Sequence, residues 1–254
     1  MNFKNIQFSV NGKMAFLKID RPKALNALNT DVVKELDEAI EAIAADAAIC
    51  AVVIASDKHF AAGADIKEMI EMNPEQAKGF AFNKTFAKIE NLMKPTIAAI
   101  SGYALGGGME LALVCDLRIA SPDAKFGFPE INLGIIPGAG GTQRLPRLIG
   151  ASRAKELIYQ GIIIDASKAL QYGLINEIAE DPLEAATKLA EKLALKAPLA
   201  VQAAKQCIQI TAKVNLPSGV EFEEVTWSRL YATEDQKEGM RAFAEKRKPV
   251  FKGK

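Results

Sequence analysis

The chain has 254 residues, of which 49% are hydrophobic and 25% are charged, the composition of an ordinary globular protein. Its formal net charge of +1 argues against an overall attraction to nucleic acid or to an acidic membrane, so we expect neither as a partner. The sequence does not open with an apolar leader segment, and it contains no apolar segment long enough to span a membrane. These two features predict a cytoplasmic protein.

The cysteines and the histidine limit the chemistry available to the chain. Three cysteines lie far apart in apolar surroundings, and we predict that Cys50, Cys115 and Cys207 are buried free thiols. The single histidine, His59, argues against a Ser-His-Asp device or a multi-histidine metal site, and we interpret it as an ordinary loop residue. Carboxylates and backbone amides remain as the candidate reactive groups.

Hydrophobic patterning in the first half of the chain alternates between strands and helices. Asn11-Gly12 joins two alternating segments and predicts a β-hairpin. A helix then begins at Asn29 or Thr30 and runs to residue 45, and a second amphipathic helix is predicted over residues 74–92. Apolar runs predict buried strands over residues 51–55, 96–100 and 117–120. This order predicts an α/β fold in which strands and helices form layers.

The segment over residues 94–121 carries the clearest candidate site. Its strand is followed by a turn over residues 101–105, by three glycines at 106–108, and by a helix that contains Glu110. A helix N-terminus presents free N–H groups and partial positive charge, and glycine lets another molecule approach the backbone closely. The turn is therefore suited to hold an anion or a developing oxyanion. Glu110 taken alone is explained equally well as a helix-dipole acid and as a functional carboxylate.

Two further segments have a similar character. Small residues follow a strand over residues 60–69 and leave the backbone exposed, although a plain strand-to-helix connection also explains this pattern. Residues 125–142 are too rich in glycine and proline for a regular element and too apolar for a solvated loop, which is typical of functional loops. Glu130 stands there among apolar neighbours. A surface acid or a capping group is the simpler explanation of Glu130 taken alone.

From Gln143 onward the sequence becomes mostly helical. A short strand over residues 175–178 interrupts the pattern. Helices are predicted over residues 143–149, 153–159, 166–172, 183–197, 198–214 and 217–231, with a last one that begins near residue 233. The shift to a wholly helical pattern near Pro198 divides the chain into residues 1–197 and residues 198–254.

Five stretches of this sequence resemble the crotonase superfamily, and short-chain enoyl-CoA hydratases in particular. Three of them are FAAGADIKEM (residues 60–69), GYALGGGME (residues 102–110) and PEINLGIIPGAGGTQRL (residues 129–145), and RPKALNAL and EGMRAFAEK match before and after them. The resemblance implies an α/β crotonase-like fold, of the ClpP/crotonase type, with a spiral of ββα units over residues 1–197. It also implies that the helical region over residues 198–254 assembles homotrimers, commonly paired into hexamers.

The resemblance further implies a reaction, the addition of water to a 2-enoyl coenzyme A thioester. The N–H groups of Ala64 and Gly107 would form an oxyanion hole. Glu110 would activate water, and Glu130 would exchange a proton with Cα; neighbouring carboxylates suit this because closeness raises one pKa and lets the pair share a proton. No metal or redox cofactor is needed, since coenzyme A arrives with the substrate. The residues implied to bind the substrate are Lys23, Ala24, Leu25, Ala62, Ala64, Asp65, Ile66, Lys67, Gly106, Pro129 and Leu133, with Phe243 and Lys246 reaching the coenzyme A of a neighbouring subunit.

One position departs from the pattern of the hydratases. They often carry Gln before the Pro-Glu pair, whereas this chain has Phe128. The change would alter acyl-chain preference or water positioning, and the sequence does not decide between the two. We expect the walls of the acyl pocket near Met69, Ile70, Phe80 and residues 128–137.

Three other functions stay open at this point. Enoyl-CoA isomerases of the same superfamily rely on a single acid–base carboxylate, so the presence of two glutamates favours a hydratase. Some hydratase-like proteins bind RNA, and the support here is a basic cluster that is also typical of a solvated helix end: Lys246, Arg247, Lys248, Lys252 and Lys254. A scaffold without catalysis conflicts with two lone acids beside two glycine-rich turns. Acyl-chain length and the physiological direction of the reaction do not follow from the sequence.

Overall fold

The computed structural model describes residues 3–80 and 82–254, and within these residues it contains two β-sheets surrounded by helices. The strands are β1 (Ile6–Asn11), β2 (Met14–Ile19), β3 (Ala51–Ser56), β4 (Thr96–Ile100), β5 (Tyr103–Leu105), β6 (Leu117–Ala120), β7 (Lys125–Gly127), β8 (Ile163–Asp165) and β9 (Glu177–Ile178). The α-helices are α1 (Thr30–Ala45), α2 (Ile66–Met69), α3 (Pro74–Phe80), α4 (Asn83–Glu90), α5 (Gly107–Val114), α6 (Gly141–Ile149), α7 (Ala151–Gln160), α8 (Ala166–Gln171), α9 (Pro182–Ala194), α10 (Pro198–Ile210), α11 (Leu216–Leu230) and α12 (Glu234–Ala244). Two 3-10 helices, Pro22–Ala24 and Pro129–Leu133, are also present.

The larger sheet has the strand order β1-β2-β3-β4-β6-β9. β1 and β2 form the predicted hairpin around Asn11-Gly12, and the other neighbouring strands of this sheet pair in parallel. The Asn29 side chain accepts a hydrogen bond from the N–H of Val32 and so begins α1 where the sequence predicts. β3 and β4 are buried along their whole length, which accounts for their continuous apolar runs.

Helices cover both faces of the larger sheet. Val52 and Ile54 of β3 join a core that includes residues of α1, α4 and α5. Ala51 and Val53 point to the opposite face and pack with α9, because successive side chains of a strand alternate between faces. The result is the α/β layering that the sequence predicts.

The smaller sheet has the order β5-β7-β8, and its strands alternate along the chain with the later strands of the larger sheet: β5 follows β4, β7 follows β6, and β8 precedes β9. β3 leads to Ala61, which forms a parallel bridge with Ala104 of β5, and β5 pairs in parallel with β7. The same order of elements therefore occurs twice: a strand of the larger sheet, a short segment in or beside the smaller sheet, and a helix. The first repeat ends in α2 and the second in α5. This repeat is the predicted ββα spiral, and it places the turns before α2 and α5 side by side.

Several predicted elements differ from the structure. The single helix predicted over residues 74–92 is two helices, α3 and α4, and Ala81 of that prediction lies outside the described residues. The apolar period continues across the break because Phe80 and Phe82 both turn inward, with ring centroids 5.0 Å apart. A repeat of apolar residues therefore did not reveal where the helix ends.

Short elements account for the other corrections. The predicted turn over residues 101–105 contains β5, and the irregular segment predicted over residues 125–142 contains β7, a 3-10 helix and the start of α6. β8 is not predicted at all. Strands of three residues are too short to show a period, so they form only because a neighbouring strand pairs with them. The helices predicted after residue 143 are all present with shifted ends.

The predicted burial of the cysteines is correct for one of the three. Cys115 is buried, and burial raises the pKa of its thiol to about 12. Cys50 and Cys207 are only half-buried, so the prediction is wrong for these two. All three thiols are free. An apolar sequence context does not distinguish a core position from the half-covered side of an outer helix or strand end.

The helices after residue 197 are anchored to the larger sheet through α10 and expose apolar side chains farther along the chain. Lys205 of α10 is buried and donates to Asp116 Oδ2 at 2.8 Å, which ties α10 to the sheet layer. Beyond it, Trp227 of α11 is 56% exposed and Phe243 of α12 is 87% exposed. The division at residue 198 stays a prediction. Within the described residues, no helix has both the length and the apolar character needed to cross a membrane.

Replacement of Gly108 by Ala should destabilise the protein by about 1–3 kcal/mol, the usual effect of overpacking. An added Cβ would lie 2.1 Å from the Ala61 carbonyl oxygen, a backbone atom held by its pairing with β5. Gly79→Ala is the matched control, because a Cβ there meets no atom of the described residues within 4 Å. Thermal unfolding of both variants checks this, and equal melting temperatures would contradict the close approach of the two backbones.

Candidate active site

A cavity of about 320 Å³ lies where the turns before α2 and α5 meet the 3-10 helix Pro129–Leu133. The wall contains both predicted amide positions, Ala64 and Gly107, and both predicted carboxylates, Glu110 and Glu130. The rest of the wall is mostly apolar, as is typical of small-molecule sites. It consists of Ala62, Gly63, Ile66, Met69, Ala77, Phe80, Phe82, Gly106, Pro129, Leu133, Ile135, Ile136, Gly138 and Ala139.

The glycine turn brings a carboxylate to the start of α5. Gly106 has φ +50, a conformation that favours glycine, and a Cβ at this position would lie 2.9 Å from Glu130 Oε1. Glycine at 106 therefore allows both the turn and the approach of Glu130. The next residue, Gly107, is the first of α5, so its N–H has no acceptor within the helix.

The backbone at Ala64 and Gly107 presents two N–H groups to the same space. A Cβ on Gly107 would lie 3.4 Å from the Ala64 nitrogen, so the two positions are in contact. Leu28 forms a parallel bridge with Ala64, in which the Leu28 N–H donates to Gly63 O and the Leu28 carbonyl accepts the N–H of Asp65. The N–H of Ala64 therefore points away from Leu28. Among the described residues, neither amide donates to a loop, turn or side-chain acceptor. Such a pair of amides is the geometry that stabilises an anionic oxygen.

Glu110 is held as a buried acceptor. Its side chain is 2% exposed, and its Oε1 accepts the N–H groups of Ala139 and Gly141, each at 2.7 Å. Burial raises the pKa of this carboxyl overall, because its effect exceeds the opposing effects of the two amides and the nearby Arg144. No side chain or backbone group of the described residues donates to Oε2, so this oxygen is left for a molecule in the cavity.

Glu130 has a different environment on the same cavity. Its Oε2 is enclosed and has no hydrogen-bond partner among the described residues. Burial, with a smaller effect of the negative Glu110, raises the pKa of Glu130 to about 7. Glu130 therefore keeps a proton that Glu110, held by two N–H groups, gives up more readily. Two carboxyls whose pKa values are raised by unequal amounts are suited to act as acid and base.

Comparison with known proteins agrees with this geometry. Residues 9–254 match the family model described as enoyl-CoA hydratase/isomerase. The chain belongs to this family. The match spans nearly the whole sequence, so the resemblance drawn from five short motifs is confirmed, and with it the predicted class of enzyme.

Individual members of the enoyl-CoA hydratase/isomerase family are similar over their full length. The chain is 46% identical to the short-chain-enoyl-CoA hydratase of Clostridium acetobutylicum, over 98% of this chain and 97% of that protein. It is 44% identical to the crotonyl-CoA hydratase of Syntrophomonas wolfei, over 99% of both. The crystal structure of enoyl-CoA hydratase from Bacillus anthracis superposes with a TM-score of 0.95 at 41% identity, over 99% of this chain and 100% of that one. The crotonase-like fold is thereby confirmed.

The residues that the family resemblance implies for substrate binding fall into two groups. Those on the cavity wall are Ala62, Ala64, Ile66, Gly106, Pro129 and Leu133. The others lie off it: Lys23, Ala24, Leu25, Asp65 and Lys67. Leu25 is nevertheless adjacent, since its carbonyl accepts the N–H of Ala62, and Asp65 pairs with Arg21 at 3.1 Å. These positions are consistent with the mouth of the site, and their contact with coenzyme A stays a prediction.

Phe243 and Lys246 lie at the end of α12 and do not line this cavity. Phe243 is 87% exposed, and Lys246 follows the helix with φ +56. Their predicted contact with the coenzyme A of a neighbouring subunit stays a prediction as well.

The predicted pocket walls are correct in part. Met69 and Phe80 line the cavity, whereas Ile70 is 74% exposed and Phe128 is fully buried behind the wall. A Cβ on Gly141 would lie 2.7 Å from the Phe128 ring, so this ring supports the turn before α6. Phe128 therefore packs against the turn that holds Glu110 and does not line the cavity.

Sequence reasoning missed the groups that hold Glu110. The N–H groups of Ala139 and Gly141 come from a glycine-rich turn that is visible in the sequence, but nothing in the sequence shows which side chain they face. Phe82 was also missed; its ring lies 3.2 Å from the position of a Cβ on Gly107. In residues 3–80 and 82–254, no group of three or more His, Cys, Asp and Glu side chains is arranged to hold a metal ion.

Proposed function

We propose that this protein catalyses the reversible syn addition of water to trans-2-enoyl-CoA, giving 3-hydroxyacyl-CoA, with short substrates such as crotonyl-CoA. One observation carries the proposal: a single cavity holds two unpartnered N–H groups and two carboxylates of unequal proton affinity. The names of the Clostridium and Syntrophomonas relatives support the short acyl chain.

The amides of Ala64 and Gly107 receive the thioester oxygen. Attack on the double bond moves negative charge onto this oxygen as an enolate, and two fixed N–H groups stabilise it without reorganisation. Each such donor is worth about 10²–10³ in rate. The amides stabilise the transition state more than the neutral thioester, which is the condition for a higher kcat.

The two glutamates exchange protons with the substrate. Glu110 begins ionised and takes a proton from the water bound at its free oxygen, while Glu130 begins protonated and gives its proton to Cα. After the reaction Glu110 carries the proton and Glu130 is ionised. The pair holds one proton before and after, so the same residues catalyse dehydration in the opposite direction. The mechanism uses no metal or redox cofactor, and coenzyme A enters with the substrate.

The raised pKa of Glu130 predicts an alkaline limb in the pH profile. As pH rises through about 7, Glu130 loses the proton that it must donate, so kcat/KM for hydration should fall about tenfold per unit above that value. Dehydration of 3-hydroxybutyryl-CoA should show the same limb, because the pair carries one proton in both directions. Initial rates across pH 5–10 in both directions check this, and a limb confined to one direction would contradict a shared proton.

Hydration of crotonyl-CoA, followed as loss of the enoyl absorbance, tests the function itself. We expect turnover that declines as the acyl chain lengthens through hexenoyl- and decenoyl-CoA. Isomerisation is the alternative within the family, and 3-enoyl-CoA serves as its substrate. A protein that isomerises 3-enoyl-CoA but does not hydrate 2-enoyl-CoA would contradict the proposal, and a folded protein inert to both would favour a non-catalytic role.

We also infer a homotrimer, commonly paired into a hexamer. Exposed apolar side chains on the C-terminal helices support this, and they include Ile208, Leu216, Val220, Val225, Trp227 and Met240. Light scattering should give a mass three or six times 27.4 kDa, and a monomer would contradict the inference.

Neither RNA nor a membrane is part of the proposal. Arg247, at the centre of the basic cluster, pairs with Glu238 at 2.7 Å and Glu245 at 2.6 Å, which lowers the local positive charge. RNA binding tighter than micromolar that weakens with salt would revive that alternative. The cytoplasmic location stays a prediction from the sequence.

A further inference from the structure

The turn before α6 sets the position of Glu110. It supplies two N–H groups, from Ala139 and Gly141, and both converge on one carboxylate oxygen. Glu110 makes no other hydrogen bond through its side chain among the described residues. The direction in which its second oxygen faces the cavity therefore depends on this turn.

The guanidinium of Arg144 binds the same turn from the other side. Arg144 of α6 donates from Nη1 to the Ala139 carbonyl at 2.9 Å. Gly140 has φ +99, and a Cβ there would lie 2.0 Å from Arg144 Nη1, so glycine at 140 admits the guanidinium. Ala139 is thus held at both of its peptide groups, with its N–H on Glu110 and its carbonyl on Arg144.

Arg144 is itself fixed by α4. Its Nε and Nη2 donate to the two oxygens of Glu90, each at 2.8 Å, which is the bidentate geometry that only arginine provides. At the other end of α4, the Asn83 amide donates to the Gly138 carbonyl at 3.1 Å. Both ends of α4 therefore hold the turn over residues 138–141.

We propose that Arg144, anchored by Glu90, is a positioning residue that holds the turn over residues 138–141 so that its two amides fix the Glu110 carboxylate toward the bound water. Arg144 does not contact the substrate and acts only through the turn and through its charge. This inference rests on the proposed hydratase function, because it assigns Glu110 the role of base.

The charges around Glu110 give this arrangement a measurable effect. Among the described residues, the ionisable groups that act on it are Arg144 from α6, with Glu90 of α4 behind it, and Glu130 from the 3-10 helix. Removal of Arg144 takes away the cation and loosens both amides. Each change makes Glu110 hold its proton more strongly, so the acidic limb of the kcat profile moves to higher pH.

The test compares Arg144→Met with Arg144→Lys, Glu90→Gln and Lys88→Met in the full-length enzyme, using crotonyl-CoA hydration. Lys88 is the matched control, because it also lies on α4 and pairs with Asp37 and Glu41, each at 2.6 Å, but does not contact the turn. For Arg144→Met we expect kcat to fall about 10–100-fold with KM nearly unchanged, since small displacements of a reacting group have effects of this size. We also expect its acidic limb to rise by roughly one unit.

The remaining variants separate positioning from stability. Arg144→Lys restores the charge but not the bidentate contact, so the acidic limb should return toward the wild-type position while kcat recovers only in part. Glu90→Gln should give a smaller loss in the same direction, and Lys88→Met should stay within about twofold of wild type. If Arg144→Met does not fold, Arg144→Lys and Glu90→Gln carry the test.

Three results would overturn the inference. The first is an Arg144→Met enzyme, or the Lys and Gln variants in its place, with wild-type kcat and an unmoved acidic limb. The second is an equal loss of kcat in Arg144→Met and Lys88→Met, which would indicate a general effect of broken ion pairs on α4. The third is a wild-type protein inert to enoyl-CoA, which would overturn the proposed function as well, whereas the first two leave that function intact.

Discussion

Replacement of Glu110 by Gln should lower kcat for crotonyl-CoA hydration by about 10²–10⁴-fold, the usual contribution of a positioned acid–base group. The amide oxygen of Gln can still accept the N–H groups of Ala139 and Gly141, so the side chain stays in place. What it loses is the ability to take a proton from water. KM should change little, because Glu110 acts on the attacking water during the reaction and does not hold the thioester.

The exposed Glu180→Gln is the matched control for this variant, since it makes the same chemical change away from the cavity. Binding of butyryl-CoA, measured by calorimetry, should be equal in both variants and in the wild type. A Glu110→Gln enzyme within tenfold of the wild-type kcat would show that another group activates the water.

Replacement of Glu130 by Gln should cause a loss of similar size in kcat and, at the same time, stabilise the protein above neutral pH. The loss follows because Gln cannot give a proton to Cα. The stabilisation follows from the raised pKa of Glu130, about 7 in the folded protein against 4.5 as its ordinary value. Between these two values the unfolded chain ionises first, so the wild type loses stability as pH rises from 4.5 to 7, and the deficit is constant above that range.

Gln has no charge to bury and removes this deficit. The full shift corresponds to about 3 kcal/mol, and partial exposure of Glu130 reduces our expectation to about 1–2 kcal/mol. Thermal unfolding at pH 8 should then show Glu130→Gln melting about 2–6 °C above the wild type, with no difference at pH 4. A variant that loses activity but also melts lower at pH 8 would contradict the buried, proton-retaining state of Glu130.

The two predictions differ in their effect on stability for a structural reason. Glu110 has two N–H donors that offset part of the cost of burying its charge, whereas Glu130 has an enclosed oxygen without a partner. The pKa values of both carboxyls are raised, but Glu130 retains the larger cost of burial for a neutral residue to release. Active sites commonly combine function with such local destabilisation.

The sequence predicted four positions for the reacting groups through the family resemblance of its motifs taken together. Gly107 follows a strand and begins a helix, Ala64 lies in a run of small residues, and Glu110 and Glu130 stand alone among apolar neighbours. The structure places all four on one cavity, as the motifs together predicted. The order of strands and helices in the larger sheet was also predictable, because buried parallel strands are continuous apolar runs.

What the sequence did not show depends on contacts between distant segments. The contact of Arg144 with Glu90 joins residues 54 positions apart, and no spacing rule links them. The same is true of Phe128, which the sequence suggested for the pocket wall and which packs behind the turn before α6 instead. The three-residue strands escaped prediction because pairing, and not local preference, fixes their conformation.

The most direct test is a crystal structure of the protein with butyryl-CoA, which carries the thioester but lacks the reactive double bond. We expect the thioester oxygen within about 3 Å of both the Ala64 and the Gly107 nitrogens. The Glu110 and Glu130 carboxylates should flank the second and third carbons of the acyl chain. A thioester oxygen that contacts neither amide, or an acyl chain bound outside this cavity, would contradict the account.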